Sequence, residues 1–223
     1  MPISHPVIAI LGGTGKEGTG LAVRWAAAGY TIVIGSRLED KAAKVAQDIN
    51  QRLGVDTVSG KENASAARVA EICVLTVKHS AHQEAVVGLK GILEGKILVD
   101  ATSRVDFRDP SPPMPPSAAE LTQETLGPGV RVVAAFQNIP AKLLQTKVGY
   151  KLTAEVLACS DDEHAAEQVI QLAHDAGMRG YYAGRLANAI IVEGLTSILI
   201  SLNKHYGVKD ASIMITGIPE HEQ

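Results

Sequence analysis

Absences narrow the reading first. The 223-residue chain has only two cysteines. Cys73 and Cys159 both sit in apolar, strand-like runs and read as buried reduced thiols. Neither sign of charge dominates: 21 Lys and Arg stand against 24 Asp and Glu, a net charge of −3. That balance argues against nucleic acid as a partner. No charged-then-apolar leader opens the chain, and no stretch reaches the ~18 apolar residues of a membrane helix. The apolar run from Ile190 to Leu202 contains Glu193, Ser197 and Ser201, with Asn203 just after. A cytoplasmic protein with no membrane partner is expected. No Ser-x-x-x-Lys pair, catalytic-looking Tyr-x-x-x-Lys or His–Asp dyad is evident, so no side chain is expected to act as an obligate general acid. His79 and His82 read as solvated residues at a strand end and a helix start. A second reading places His79 in an acceptor pocket. No third ligand accompanies them at metal-binding spacing, so no metal is expected.

What is present is concentrated at the N-terminus. Ile8-Ala9-Ile10-Leu11 is a buried strand that runs into a glycine turn and a helix. Gly13, Thr14, Gly15, Lys16, Glu17 and Gly18 fit G-x-G-x-x-G. Gly13 permits the tight turn, Gly15 lets a pyrophosphate approach bare backbone, and Gly18 lets helix and strand pack closely. The helix start offers free N–H groups and a positive dipole end. One strand later, where an NAD site usually has Asp or Glu, the chain has Ser36 and Arg37. A hydroxyl and a guanidinium suit a 2′-phosphate. Lys41 lies one turn further on and adds a second cation. The pattern reads as an NADP site.

Strands and helices then alternate. Strands are expected at Pro6–Leu11, Thr31–Gly35, Thr57–Gly60, Ile72–Val77, Lys96–Asp100 and Val130–Phe136. Helices are expected at Gly15–Ala28, Leu38–Leu53, Asn63–Ala70 with Asn63 as cap, Ser80–Leu93, and up to Leu126 with Ser117 as cap. Repeated βαβ units imply an α/β, Rossmann-type, doubly wound and mostly parallel sheet. The Pro-rich stretch 109–116 reads as a stiff connector. Beyond it lie strands Glu155–Cys159 and Gly180–Ala183, an Asp161-capped helix to Ala176, and a long apolar helix Arg185–Tyr206. This is a smaller C-terminal α/β extension. Residues 1–140 are expected to bind the nucleotide, and 141–223 to add an acceptor cleft and a dimer helix. The helix is apolar nearly all round, which favours a two-fold interface.

Ligands bind at the carboxyl ends of parallel strands. The glycine turn and Ser36-Arg37 should therefore take the adenosine half. Thr76, Val77, Lys78 and His79, and the segment beginning at Ala101, should flank the nicotinamide. Gln137 or Asn138 could hydrogen-bond a ring carbonyl.

Leu11-Gly12-Gly13-Thr14-Gly15, Ile34-Gly35-Ser36-Arg37, Val74-Leu75-Thr76-Val77, Gln137-Asn138-Ile139-Pro140-Ala141 and Val192-Glu193-Gly194-Leu195-Thr196 resemble the NADP oxidoreductases dependent on coenzyme F420. The resemblance spans almost the whole chain. It implies hydride transfer between NADP(H) and the deazaflavin F420, and a homodimer through the C-terminal helix. It also implies Thr14, Ser36, Arg37 and Lys41 on the NADP adenosine, and Ile139, Pro140 and Ala141 against the deazaflavin and nicotinamide. Two places depart from the family pattern. Gln137-Asn138 replaces a His-Thr pair, and Lys78-His79 stands where an aromatic residue is usual. On the residues alone, a reductase of flavin or of a small imine or carbonyl remains open, as does a non-catalytic NADPH-sensing module.

Overall fold

The structure is a computed structural model and describes residues 5–146 and 148–219. The outer ends of the two expected regions, 1–4 and 220–223, lie outside the described residues, as does Lys147.

Six strands form one parallel sheet: β1 (Ile8–Leu11), β2 (Ile32–Ser36), β3 (Val58–Glu62), β4 (Ile72–Leu75), β5 (Ile97–Asp100) and β6 (Arg131–Ala134). Their order is β3-β2-β1-β4-β5-β6, the doubly wound arrangement. Strands β1, β2, β4 and β5 are buried along their whole length, as their unbroken apolar runs require of strands covered on both faces. Alternate residues feed two cores. Ile8, Ile10, Ile32, Ile34, Val74 and Val99 pack on one side, and Ala9, Leu11, Val33, Leu75 and Leu98 on the other.

The first core is covered by α1 (Lys16–Ala27), α2 (Glu39–Leu53) and α7 (Glu163–Asp175) through Leu21, Trp25, Ala42, Ala46, Ala165 and Val169. The second is covered by α3 (Asn63–Val69), α4 (His79–Leu89), α5 (Ala118–Leu126) and α8 (Ala189–Tyr206) through Ala66, Val86, Ala119 and Val192. A short α6 (Ala141–Leu144) follows β6. β7 (Glu155–Ala158) and β8 (Arg179–Tyr182) form a separate parallel pair, joined to the main sheet by the bridge Ala134–Cys159.

Several expectations shift. Strands β4 and β6 end at Leu75 and Ala134, two residues early, because the chain turns into loops there. The cap of α3 is Glu62, whose carboxylate accepts from the Ala64 and Ser65 N–H groups, not Asn63. Asp162 caps α7, while Asp161 pairs with Arg185 at 2.9 Å. The expected single helix from Arg185 starts as a 3-10 turn, Leu186–Asn188, before α8. Ser117 caps α5 as expected, in a full capping box with Glu120.

The stretch Leu186–Tyr206 is long and apolar enough to cross a membrane by length and composition. Its inner face, however, packs on the rest of the chain through Val192, Glu193, Thr196 and Leu199. Glu193 is buried, and its carboxylate accepts from the Arg104 backbone N–H at 2.6 Å and the Ala118 N–H at 2.9 Å. Both free cysteines are buried, and burial pushes their thiols up to about 12 for Cys73 and about 11 for Cys159.

Candidate functional site

The strand order reverses between β1 and β4, so a crevice opens beyond their carboxyl ends. Register fixes what meets there. Leu11 pairs with Leu75, Leu75 with Asp100, and Asp100 with Ala134. The glycine turn, Thr76–His79, Ala101–Ser103 and 135–141 therefore leave the sheet along one edge. The expected site segments are brought together by this edge.

The glycine turn is held from two sides. The Gly13 N–H donates to Ile10 O and Gly35 O at 3.1 and 3.0 Å. Asn63 Oδ1 accepts from the Gly12 N–H at 3.1 Å. A side-chain carbon at Gly18 would lie 2.6 Å from Gly13 Cα and 2.8 Å from Thr76 Oγ1, so only glycine lets α1 pack this closely. At Gly15 the situation is opposite: an added carbon would meet nothing. Gly15 is the N-cap of α1, and no side chain caps the helix. Bare N–H groups with open space above them fit a pyrophosphate.

Beside this turn, Ser36 is buried and its Oγ accepts from the Leu38 N–H at 3.2 Å, which shapes the bend after β2. Arg37 and Lys41 are exposed and form no ion pair among the described residues. Two uncommitted cations at this place fit a 2′-phosphate. Thr14 is half-buried in the turn, while Lys16 is exposed and Glu17 half-buried at the start of α1. Glu17 lies near Asp100, and burial together with that neighbour raises its carboxyl to about 8.

At the other end of the crevice Lys78 is the N-cap of α4 and His79 its first residue, both exposed. Thr76 Oγ1 donates to Leu11 O at 3.3 Å, and Val77 is half-buried. Ala101, Gln137, Asn138 and Ile139 are buried, and Pro140 and Ala141 are half-buried at the start of α6. Phe136 has φ of 73°, a conformation rare outside glycine, and its ring packs edge-on against Trp25 at 5.8 Å. This kink begins the loop that carries Gln137 to Ala141.

The amides are partly engaged with backbone. Gln137 Nε2 donates to Asp100 O at 2.9 Å, and Asn138 Nδ2 donates to Glu155 O at 2.7 Å. Each nitrogen spends one of its two N–H groups on backbone. Gln137 Oε1, Asn138 Oδ1 and Thr102 Oγ1 are buried with no hydrogen-bond partner among the described residues. Each amide keeps a free acceptor oxygen and the second N–H of its NH2 group, so an N–H of a ring or carboxamide and a ring carbonyl both fall within its capacity.

One correction concerns His82. It is buried, not solvated, and lies 2.8 Å from Asp100 Oδ2. Thr122 Oγ1 donates to the same oxygen at 2.6 Å, and the Thr102 N–H donates to Asp100 Oδ1 at 2.9 Å. The His–Asp pair that the sequence reading finds absent is present. Its signal was spacing: His82, Val86 and Leu89 share the buried face of α4. Arg24 was also missed. Its guanidinium is buried and donates to carbonyls of Leu143, Leu144, Thr146 and Ala176, tying α1 to the chain beyond Pro140.

Comparison with known proteins decides the lineage. Residues 7–104 match the family described as NADP oxidoreductase coenzyme F420-dependent. The chain is 38% identical to the F420-dependent NADP reductase of Methanothermobacter thermautotrophicus, covering 96% of this chain and 97% of that protein. Against its counterpart in Methanocaldococcus jannaschii, identity is 35%, with coverage of 95% and 98%. The chain belongs to the F420-dependent NADP oxidoreductases. It is thus an NADP-dependent oxidoreductase with NADP(H) and F420 as co-substrates. The solved structure of a putative F420-dependent NADP reductase from Arthrobacter sp. FB24 superposes with a TM-score of 0.78 at 26% identity, covering 96% of this chain and all of that one.

Proposed function

We propose that the crevice at the carboxyl edge of the sheet takes NADP(H) and F420 together, and that hydride passes directly between them. When bound, NADPH supplies the hydride and F420 accepts it, so the protein's share is binding, orientation and exclusion of water. The observation that carries the reading is the uncapped start of α1, open above Gly15, beside Arg37 and Lys41, which are unpaired among the described residues.

In this reading Gly13, Thr14, Gly15, Lys16 and Gly18 receive the pyrophosphate and Ser36, Arg37 and Lys41 the 2′-phosphate. Thr76, Val77, Ala101, Ile139, Pro140 and Ala141 form the largely apolar wall around the rings. Gln137 and Asn138 offer acceptor oxygens to ring or carboxamide N–H groups, and Lys78 and His79 stand at the acceptor rim. Residues 1–140 act as the nucleotide-binding part and 141–223 as the smaller part that closes the acceptor cleft.

The same reading makes the enzyme a cytoplasmic homodimer. Ile191, Ile198, Leu202 and Tyr206 form an exposed stripe on α8, with Ile191 and Tyr206 each 68% exposed. Such a stripe supports a two-fold contact. Light scattering on Ile198→Glu should find the monomer.

The activity test is anaerobic mixing of the protein with NADPH and oxidised F420, with FAD and FMN in parallel. Loss of deazaflavin absorbance, with no comparable flavin reduction, is expected. Bound NADPH without deazaflavin turnover would overturn the assignment of the acceptor.

A further inference from the structure

Three segments at the ring end of the crevice meet at one buried residue. Asp100 is the last residue of β5 and is fully buried. Its Oδ2 lies 2.8 Å from His82 Nε2 and accepts from Thr122 Oγ1 at 2.6 Å. His82 Nε2 and Thr122 Oγ1 are themselves 3.0 Å apart, so α4 and α5 close on the carboxylate together. Asp100 Oδ1 accepts from the Thr102 N–H at 2.9 Å. Its backbone carbonyl accepts from Gln137 Nε2 at 2.9 Å and from the Ala135 N–H at 3.3 Å. His82 stands in the first turn of α4, directly after Thr76–Lys78. Thr102 lies just beyond β5, and Gln137 in the loop before α6. One residue thus ties together all three segments. Among the described residues, the glycine turn and Ser36-Arg37 make no hydrogen bond to this cluster. They are held by Ile10 O, Gly35 O, Asn63 Oδ1 and the Ser36 hydroxyl.

Two residues that Asp100 holds keep a buried oxygen with no partner among the described residues: Thr102 Oγ1 and Gln137 Oε1. A buried oxygen left unfilled carries a desolvation cost that a bound ligand can recover. We propose that Asp100 is a positioning residue for hydride transfer. Clamped by His82 and Thr122, it holds Thr102 and Gln137 at a fixed spacing, so that their free oxygens orient the rings of the two co-substrates. It touches no reacting atom and moves no proton; it acts through the two residues it holds. Hydride transfer needs its two carbons ~3–3.5 Å apart, and a misplacement of about 1 Å can cost about 10²-fold in rate. A loosened clamp should therefore slow the hydride step and spare the phosphate-binding end. The inference rests on the assignment of this crevice to NADP(H) and F420.

The test compares Thr122→Val, which keeps the outline and deletes the hydroxyl, with Thr122→Ser, which keeps the hydroxyl. Single-turnover reduction of F420 by NADPH is followed anaerobically, well below the unfolding transition. The NADPH dissociation constant and Tm are measured on the same preparations. Thr122→Val should slow the hydride step about tenfold, with NADPH affinity within about twofold of wild type. Thr122→Ser should keep the rate within about twofold, even where the lost methyl lowers Tm. If Thr122→Val does not fold, His82→Leu and His82→Gln carry the same comparison, with Gln returning a polar nitrogen to the cluster. An unchanged hydride rate in Thr122→Val beside a lower Tm would make the cluster purely structural and overturn the proposal. Equal losses of rate and NADPH affinity would overturn it too, because Asp100 would then serve the nucleotide end. Failure of the site assignment looks different: NADPH affinity would be indifferent to Arg37→Ala, wild type would not reduce F420, and the inference would fall with it.

Discussion

Replacing Arg24 tests how the two parts of the chain are held together. The guanidinium is buried, with 2% of the residue exposed, and has no carboxylate partner among its bonds. It donates through Nη1 to Ala176 O at 3.0 Å and through Nε to Leu144 O at 3.3 Å. Nη2 reaches Thr146 Oγ1 at 2.9 Å and Leu143 O at 3.3 Å. Leu143 and Leu144 end α6, and Ala176 ends α7, so one cation serves the negative ends of two helices. Burial lowers its affinity for its proton, with Arg52 a lesser cause. Arg24→Met keeps the stem and deletes every donor. Leu143 O retains Thr146 Oγ1 as a donor, but the carbonyls of Leu144 and Ala176 are left without these donors. Two stranded carbonyls at ~1–3 kcal/mol each give ~2–6 kcal/mol. Relief from burying an uncompensated cation returns part of that, so a net loss of about 3 kcal/mol is expected. For a chain of this size that lowers Tm by roughly 6–12 °C. Urea and thermal unfolding followed by circular dichroism measure it. Arg24→Lys should recover little, since one ammonium cannot span the separate directions. A loss below about 1 kcal/mol, or a gain, would mean that desolvation outweighs the bonds and that the clasp reasoning is wrong.

Other perturbations separate binding from folding. Arg37→Ala should weaken NADPH about 10–100-fold and NADH by no more than about twofold, since a charge-assisted bond is worth ~1.5–3 kcal/mol; equal losses in parallel titrations would refute the 2′-phosphate role. Gly15→Ala should leave Tm within about 1 °C, because its backbone at φ −82° suits alanine and the space is open. The same change should still cost about tenfold in NADPH affinity. Gly18→Ala should instead lower Tm, because its new carbon meets the Gly13 backbone at 2.6 Å. Glu17 also marks stability: its ordinary value of 4.5 applies when unfolded, and about 8 when folded. Between those values the folded state holds the extra proton, so stability falls as pH rises, by at most ~1.4 kcal/mol per unit. After discounting for partial exposure, wild type should lose about 2 kcal/mol more than Glu17→Gln from pH 5 to 8; parallel denaturation curves would contradict this.

The geometry of the proposed nucleotide half was legible because its determinants are local. A strand, a glycine turn and a helix start lie within eleven residues, and their geometry follows from φ, size and dipole. The acceptor half was less legible because its determinants are contacts between distant segments. Nothing adjacent to Phe136 marks a positive φ; its ring is drawn against Trp25 on α1. Asn63 looked like a cap because it starts a helix, yet Glu62 one residue earlier reaches the same N–H groups. Asn63 is thereby free to hold Gly12, 51 residues away. The buried His82 was visible only as an apolar-face position occupied by a polar residue. That signal is ambiguous until Asp100 and Thr122 are placed beside it.

The departure from the family at Gln137-Asn138 takes a different meaning once the amides are placed. In the proposed site, a side chain at these two positions has a structural duty and a recognition duty. The structural duty is to hold the loop, which each amide performs through its nitrogen, on Asp100 O and Glu155 O. The Gln137 backbone carbonyl also accepts from Thr196 Oγ1 at 2.9 Å, which fixes the loop to α8 as well. What remains for recognition is the free oxygen and the second N–H of each amide. Histidine and threonine can divide the same duties, donating with one atom and accepting with another. Gln137 and Asn138 can thus meet both duties, as a His-Thr pair could. On this argument Gln137→Glu should keep the outward acceptor but lose the donor to Asp100 O. It should disturb the loop, and with it deazaflavin turnover, more than NADPH affinity. A larger loss of NADPH affinity than of turnover would place Gln137 on the nucleotide side of the crevice instead.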